Sequence, residues 1–359
     1  MVKMGKFDIK GSAEYAVNYM NGVVKGMENL VNMTSDRIRT GELEKEPVLQ
    51  IGKMTLYHYV PLVEESKLQD TPMLITYALV NKQYMMDLQP DRSVIKSFLE
   101  KGIDTYIIDW GYPAKEDMYM TLEDHIEWYM DDCVDYIIKA SGKPQITLLG
   151  VCQGGTFSAI YTALHQDKIK NFVAMVAPID FSIDEGLLFK WSKHFNVDKM
   201  VDAYGNVPAD LMNAVFVLLK PFELMIDKYV GAGAAMSDPA YLENFLRTEN
   251  WIFDSPDQEG ETIREFVKEF YEDNKLIRGE FTLGGKEVKL SDITCPLLVI
   301  CAKYDHLVPP SSTKPLLEAV SSTDKEFHIF DVGHVGIYIS PNSKNVIAPI
   351  IGDWIVERS

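Results

Sequence analysis

The sequence predicts an α/β protein with a mostly parallel, doubly wound sheet. Short apolar runs bounded by turn residues recur along the chain, and several are continuous, as in strands that are covered on both faces. Between many of these runs lie longer segments whose apolar residues recur every three or four positions, which is the helical period. Alternation of strands and helices is typical of a parallel sheet with helices on both faces.

Each predicted element follows from one of these two patterns. The apolar runs predict strands at Leu56–Tyr59, Met73–Leu79, Thr105–Trp110, Ile146–Gly150, Phe172–Val176, Leu297–Ala302 and Phe327–Phe330. The helical spacing predicts helices at Ser93–Lys101, Leu122–Ala140, Gly155–His165 and Lys314–Val320.

Two parts of the chain depart from this alternation. Residues Ala13–Met33 carry an apolar stripe at helical spacing, so we expect an N-terminal helical segment within residues 1–50. That helix either packs on its own domain or serves as an arm that binds a partner. Residues 181–290 are rich in aromatic and Met side chains and show no alternation. We expect them to form a cap inserted into a core of residues 51–180 and 291–359.

The most informative motif follows the strand predicted at Ile146–Gly150. It reads Gly150-Val-Cys-Gln-Gly154 and precedes small residues and a helical pattern. Gly-x-nucleophile-x-Gly is the nucleophile elbow of α/β hydrolases, here with Cys152 in place of the usual Ser. The helix amino terminus beside Cys152 favours its thiolate form. An ordinary buried cysteine at a strand end is the alternative interpretation of the motif alone.

Two further residues complete a catalytic triad in the order that this fold requires, which is nucleophile, acid, histidine. Asp305 follows the late strand predicted at Leu297–Ala302, and His334 follows the last strand. We expect His334 to take a proton from Cys152 or from an incoming hydroxyl, while Asp305 orients the imidazole. Asp331 is a rival acid, but it lies one strand too late.

Other polar groups are expected around this triad. An oxyanion hole takes one backbone N–H from the residue after the nucleophile, here Gln153. Its second N–H comes from the loop after an early strand, here Val80 or Asn81. His306, beside the predicted acid, is a candidate for an indirect role.

Composition excludes several other classes of function. The 359 residues include 53 Asp plus Glu against 35 Lys plus Arg, a net charge of −18, and no basic cluster suited to nucleic acid stands out. None of the four cysteines has the spacing of a zinc site, so we expect no metal. No signal peptide or membrane span is apparent, which predicts a cytoplasmic protein with reduced thiols.

The chain resembles the catalytic subunit of the class III polyhydroxyalkanoate synthases, called PhaC. The resemblance covers most of the chain beyond the first fifty residues. The matching motifs are Tyr77-Ala-Leu-Val-Asn81, Ile108-Asp-Trp-Gly-Tyr-Pro113, the cysteine elbow, Lys220-Pro-Phe222, Trp251-Ile-Phe-Asp-Ser-Pro256, Asp305-His-Leu-Val-Pro309 and Gly333-His-Val-Gly-Ile337.

The resemblance implies polymerisation of (R)-3-hydroxyacyl-CoA, typically 3-hydroxybutyryl-CoA, with release of CoA and no other cofactor. It implies the partner subunit PhaE, an oligomer, and attachment to polyester granules. Class IV synthases are of similar length but pair with PhaR, and Gln153 favours class III. Class I synthases carry a long N-terminal extension that this chain lacks. By matching position, Cys152, His334 and Asp305 are nucleophile, base and acid.

Two other functions fit part of the pattern. A cysteine hydrolase of the dienelactone type would share the elbow but would need an open polar pocket and no partner. A granule scaffold without activity would share the fold, yet it would have no need of an intact Cys152, Asp305 and His334. Thioester exchange suits a thiol nucleophile, and an apolar cap could exclude the water that would hydrolyse an acyl-enzyme.

Overall fold

A computed structural model describes residues 9–359, and describes side chains from residue 14 onward. The first eight residues of the expected N-terminal segment therefore lie outside the described residues. In chain order the strands are β1 (Lys45–Ile51), β2 (Met54–Tyr59), β3 (Met73–Thr76), β4 (Thr105–Asp109), β5 (Ile146–Val151), β6 (Ile169–Met175), β7 (Thr282–Leu283), β8 (Lys286–Glu287), β9 (Leu297–Ala302) and β10 (Lys325–Phe330).

Most helices lie between these strands or within the insertion that separates β6 from β9. The α-helices are α1 (Ile9–Val31), α2 (Val94–Glu100), α3 (Asp131–Ser141), α4 (Gln153–Leu164), α5 (Leu187–Ser192), α6 (Val197–Tyr204), α7 (Ala209–Leu219), α8 (Lys228–Ala235), α9 (Pro239–Phe253), α10 (Gly260–Phe266), α11 (Lys275–Arg278), α12 (Pro310–Thr313), α13 (Leu316–Ala319), α14 (Gly336–Ile339) and α15 (Ala348–Val356).

Short helical segments of other types complete the list. Those with 3-10 geometry are Ser35–Ile38, Glu65–Lys67, Gln83–Met86, Lys115–Tyr119, Gln166–Lys168 and Leu290–Asp292. Those with π geometry are Asp124–Met130, Phe222–Asp227, Val267–Glu272 and Ser343–Ile347.

One eight-stranded sheet organises the core, in the order β1-β2-β4-β3-β5-β6-β9-β10. The pairs β1/β2 and β2/β4 are antiparallel, and the remaining pairs are parallel. Neighbouring residues in β5 face opposite sides of the sheet. Leu148 and Leu149 are both fully buried, so the sheet is covered on both faces at this strand. Helices α3 and α4 cover one face, while α2 and α15 cover the other. The α/β prediction is confirmed.

The N-terminal region differs from the expected helical segment of residues 1–50. Helix α1 is present, but β1 already begins at Lys45 and pairs with β2 in an antiparallel hairpin. The strand is hard to recognise because it contains Pro47 and has charged residues at its start. Such residues are tolerated because β1 is an edge strand with one unpaired side.

The insertion between β6 and β9 is mainly helical and lies next to α1. It contains α5 to α11 and the small β7/β8 hairpin. Helix α1 packs closely on α8, where a Cβ built on Gly26 would lie 2.9 Å from the Met236 Cβ. Within residues 9–359, no helix has both the length and the hydropathy needed to cross a membrane.

Candidate active site

Cys152 occupies a sharp turn between β5, which ends at Val151, and α4, which begins at Gln153. Its backbone has φ 54° and ψ −127°, a conformation that is costly for a residue with a Cβ. The turn is also tightly packed, because a Cβ on Gly154 would lie 2.3 Å from the Thr76 carbonyl oxygen. This is the geometry of a nucleophile elbow, in which backbone strain holds the side chain at the end of the sheet.

The other three cysteines, Cys133, Cys295 and Cys301, are buried in the core. Burial raises the pKa of Cys295 and of Cys301 to about 12, and it also raises the pKa of Cys133. Thiols of this kind stay protonated and unreactive near neutral pH. Cys152 is the one cysteine of the chain that is not fully buried.

Asp305 and His334 lie together at the carboxyl ends of β9 and β10. Nδ1 of His334 lies 2.6 Å from Oδ2 of Asp305. The other carboxylate oxygen, Oδ1, accepts hydrogen bonds from the backbone N–H groups of Leu307 at 2.9 Å and Val308 at 2.8 Å. These bonds use both carboxylate oxygens, so the acid is fixed in orientation and in turn fixes the imidazole.

His334 is buried and lies near enough to Cys152 for the charge of Cys152 to act on its pKa. Burial by itself lowers the pKa of His334. The negative charges of Asp305 and Cys152 outweigh burial, so the pKa lies well above its ordinary value of 6.5. This direction favours a charged imidazolium, which is the form of the histidine in a reactive Cys/His pair. The structure thus brings the three predicted triad residues together.

The rival acid Asp331 lies elsewhere. Its carboxylate is exposed and forms a 2.8 Å ion pair with Lys303. His306 is half-buried, and burial lowers its pKa, with the charges of Lys220 and His334 acting in the same direction. His306 therefore lies between the triad and the Lys220 region of the insertion, in a position from which it can act indirectly.

The predicted oxyanion residues lie beside the elbow. Within residues 9–359, the backbone N–H groups of Val80 and Asn81 donate no hydrogen bond, so both remain available. The Asn81 side chain instead donates to Oγ of Ser255 at 2.6 Å. The side chain of Gln153 accepts a 3.1 Å hydrogen bond from the backbone N–H of Leu79.

Three tyrosines near Cys152 were not predicted from the sequence. Tyr77 and Tyr338 are buried and Tyr271 is partly buried, and burial raises the pKa of each, with a further contribution from the charge of Cys152. The three phenols near the thiol therefore stay neutral. Tyr77 follows β3 and so could have been inferred, whereas Tyr271 comes from the insertion and carries no sequence signal for this role.

No metal site accompanies these residues in the part of the chain that the structure describes. Among residues 9–359, no group of three or more His, Cys, Asp or Glu side chains is arranged to hold a metal ion. The side chains that the structure places at the site are a thiol, an imidazole and a carboxylate, with backbone N–H groups and phenols nearby.

Solved structures share the fold at low sequence identity. A Sulfolobus solfataricus protein assigned as a lipase is 13% identical and has a TM-score of 0.53, covering 89% of this chain and 99% of its own. BpoC from Mycobacterium tuberculosis H37Rv is 14% identical with a TM-score of 0.50, covering 80% of this chain and 93% of its own. Residues 72–341 also match the family model described as the alpha/beta hydrolase fold.

Curated relatives are much more similar in sequence. The Allochromatium vinosum poly(3-hydroxyalkanoate) polymerase subunit PhaC is 47% identical over 95% of this chain and 96% of its own length. The Thiocystis violacea and Synechocystis proteins of the same name are 46% and 45% identical, covering 97% and 95% of this chain and 97% and 92% of their own lengths. With the hydrolase fold and this degree of identity over nearly its whole length, the chain belongs to the PhaC family of poly(3-hydroxyalkanoate) polymerase subunits.

Proposed function

We propose that this chain is an acyltransferase that polymerises (R)-3-hydroxyacyl-CoA, with 3-hydroxybutyryl-CoA as the expected substrate, through a covalent thioester on Cys152. The observation that carries the proposal is the placement of Cys152, His334 and Asp305 at the carboxyl ends of three strands, with Nδ1 of His334 2.6 Å from Oδ2 of Asp305. Family membership supports the polymer as product, since the relatives are named as polymerase subunits.

In the first half-reaction Cys152 is acylated. Its sulfur attacks the thioester carbonyl, and the bond between that carbonyl and the CoA sulfur breaks. The imidazolium of His334 gives a proton to the departing CoA thiolate. One thioester replaces another, so the step has little cost in free energy, and the oxyanion meets the backbone N–H groups of Gln153 and Val80 or Asn81.

In the second half-reaction the acyl group moves to oxygen. Neutral His334 takes the proton from a 3-hydroxyl group, whose oxygen attacks the Cys152 thioester. The bond to sulfur breaks, an oxygen ester forms, and the proton returns to the Cys152 sulfur. Asp305 holds the imidazole in orientation and stabilises its charged form in both steps.

Water would convert this polymerase into a hydrolase, so it must be excluded from the acyl-enzyme. Phe181, Phe189, Phe266, Phe270 and Tyr271 form a cluster of stacked and edge-on aromatic rings at the base of the insertion. Tyr271, a member of this cluster, also lies close enough to Cys152 for the thiolate charge to raise its pKa. These contacts support the proposal that residues 181–290 form a cap that excludes water from the reacting atoms.

The proposal extends to the surroundings of the enzyme. We place the chain in class III because of Gln153, with PhaE as partner in preference to PhaR. We further propose that it forms an oligomer and works in the cytoplasm on polyester granules. CoA is part of the substrate and a product, and we propose no additional cofactor or metal and no nucleic-acid partner.

One experiment tests the activity directly. The chain is incubated with (R)-3-hydroxybutyryl-CoA, with and without PhaE, while free CoA, insoluble polyester and free 3-hydroxybutyrate are measured. We expect CoA and polyester in matching amounts, with faster turnover when PhaE is present. Release of CoA together with free 3-hydroxybutyrate and no polyester would instead identify a hydrolase. Absence of CoA release under both conditions would contradict the proposal.

A further inference from the structure

The peptide groups flanking Leu79 are held by two glutamines from different parts of the chain. The backbone N–H of Leu79 donates to Oε1 of Gln153 at 3.1 Å, and its carbonyl oxygen accepts from Nε2 of Gln258 at 3.2 Å. Gln153 is the first residue of α4, directly after the elbow, whereas Gln258 lies in the insertion. Leu79 and Gln258 are both 3% exposed, so water competes little for these bonds.

The rest of the loop after β3 contacts the same part of the insertion, residues 251–258. Nε1 of Trp251 donates to the Lys82 carbonyl oxygen at 2.7 Å. The Tyr84 hydroxyl donates to Oδ2 of Asp254 at 2.9 Å. The Asn81 side chain adds its bond to Oγ of Ser255 in the same segment. This bond directly joins two of the motifs that resemble the synthases, Tyr77–Asn81 and Trp251–Pro256.

This arrangement decides which backbone groups can meet an oxyanion. The N–H of Leu79 is already engaged by Gln153, so the next free N–H groups along the loop are those of Val80 and Asn81. Their position depends on the preceding residue, because the two glutamines fix the peptide groups on both sides of Leu79. The same loop lies against the elbow, where a Cβ built on Gly154 would lie 2.3 Å from the Thr76 carbonyl oxygen and 2.6 Å from that of Tyr77.

We propose that Gln258 and the side chain of Gln153 are positioning residues for the oxyanion hole. They place the loop N–H groups at the correct distance from the thioester carbonyl, and Gln258 makes that placement depend on the insertion. The proposal rests on the proposed function, because it assumes that Cys152 attacks a thioester. It adds that the insertion has a part in assembling the site, besides covering it.

Loss of these glutamine hydrogen bonds should slow only reactions that form an oxyanion. Thioester attack develops charge on a carbonyl oxygen and needs the oxyanion hole, and a displacement of about 1 Å can lower a rate roughly 100-fold. Alkylation of the Cys152 thiolate by iodoacetamide displaces iodide and forms no oxyanion. Misplacement of the loop should therefore slow acylation and leave alkylation unchanged.

The test compares these two rates in Gln258→Met and Gln153→Met. Methionine has a similar length but neither donates nor accepts these hydrogen bonds, and Gln153→Met retains its backbone N–H. Single-turnover CoA release from (R)-3-hydroxybutyryl-CoA gives the acylation rate, and mass spectrometry of the Cys152 peptide gives the alkylation rate. We expect the acylation rate at saturating substrate to fall at least about 10-fold in each variant. The alkylation rate should stay within about twofold of that of the unaltered chain.

Gln166→Met is the matched control. The Gln166 side chain also accepts a backbone hydrogen bond, from Thr294 N–H at 2.9 Å, but it lies near the amino ends of β6 and β9, at the opposite end of the strands from the triad. Neither rate should change in this variant. The positioning role is refuted if Gln258→Met lowers both rates in equal proportion, as general damage to the fold would, or lowers neither.

A Cys152→Ala variant separates this proposal from the proposed function. Acylation that persists in Cys152→Ala would refute the proposed function itself. If Cys152→Ala is inactive and Gln258→Met keeps the ratio of the two rates unchanged, only the positioning role fails.

Discussion

At the scale of single residues, the chemistry depends on how the backbone presents Cys152. Its left-handed φ of 54° places a reactive thiol at the end of a buried strand, while the other cysteines remain unreactive through burial. His334 lies within electrostatic range of this thiol and forms a hydrogen bond with Asp305. In the proposed mechanism each of the three residues has a different role, and substitutions should separate those roles.

Replacement of the nucleophile should remove activity and leave the fold intact. Cys152→Ala loses one sulfur and retains the Cβ, so we expect the free energy of unfolding to change by no more than about 1 kcal/mol. CoA release should fall to background in this variant, and Cys152→Ser should retain little activity because its alkoxide is harder to form. Calorimetry and single-turnover CoA release provide the two measurements, and near-normal turnover by Cys152→Ala would exclude a covalent role.

Replacement of the acid and of the base should have different effects on the two half-reactions. His334→Ala removes the proton carrier, so acylation and chain elongation should each fall roughly 10²–10⁴-fold. Asp305→Ala leaves an imidazole without its orienting partner, so acylation should persist better than overall turnover. Radiolabelled substrate in single-turnover and steady-state experiments distinguishes the two steps.

Asp331→Ala is the control for the acid. Its carboxylate pairs with Lys303 at the surface, so turnover should remain close to that of the unaltered chain. Loss of polymerisation in Asp331→Ala together with full activity in Asp305→Ala would reverse the assignment of the acid.

At the scale of elements, sequence patterns predicted the core strands well because those strands are buried on both faces. Strand β9 agrees with its predicted bounds at both ends, and β5 differs by a single residue. The edge strand β1 was missed because an edge needs no continuous apolar run. The contacts of Gln258 and Tyr271 could not be predicted, since they join segments distant in sequence and no local periodicity reports on them.

The packing of α1 on α8 gives a prediction at this scale. A Cβ on Gly26 would lie 2.9 Å from the Met236 Cβ and 3.1 Å from the Gly233 carbonyl oxygen. Gly26→Leu should therefore push the two helices apart, at a cost of about 1–3 kcal/mol, even though Leu favours the helical state of α1 itself. We expect faster amide hydrogen exchange in α1 and in α8.

Gly231→Ala on α8 is the matched control, because a Cβ there has no atom within 4 Å. It should leave exchange in α1 unchanged and stabilise α8 by up to about 1 kcal/mol through helix propensity. Equal exchange rates in α1 for the Gly26→Leu variant and the unaltered chain would contradict the packing described here.

At the scale of the whole molecule, the N-terminal segment and the insertion form one connected structure. Arg247 of α9 donates to the backbone carbonyl oxygens of Arg37 and Arg39, and α1 packs on α8. The insertion in turn contacts the core through residues 251–259. A buried ionic cluster at the end of this contact links three regions of the chain. Lys53 comes from the β1/β2 turn, His125 from the helical segment Asp124–Met130, and Glu259 directly precedes α10.

The charge of Glu259 is stabilised by its neighbours against the cost of burial. Its carboxylate lies 3.1 Å from Nζ of Lys53 and 3.6 Å from Nε2 of His125. Burial raises the pKa of Glu259, but the interactions with His125 and Lys53 outweigh it and hold the pKa at about 2, compared with 4.5 for a free side chain. A carboxyl group whose pKa is lower in the folded state stabilises that state above pH 4.5, and this stabilisation is lost as the pH falls towards 2.

Glu259→Gln should therefore destabilise the molecule in a pH-dependent way. The substitution leaves Lys53 buried without its counter-charge, so at pH 7 we expect the free energy of unfolding to fall by about 3 kcal/mol. The difference between the variant and the unaltered chain should shrink as the pH is lowered from 4.5 to 2.5, because the unfolded form of the unaltered chain takes up a proton at Glu259 in this range while the folded form stays mostly ionised. Denaturant unfolding across this pH series measures the free energy of unfolding of both proteins.

Asp70→Asn, which breaks a solvent-exposed ion pair with Lys143, is the control and should change the free energy of unfolding little at any pH. A Glu259→Gln deficit that stayed constant down to pH 2.5 would show that packing, and not the buried charge, joins the insertion to the core at this point.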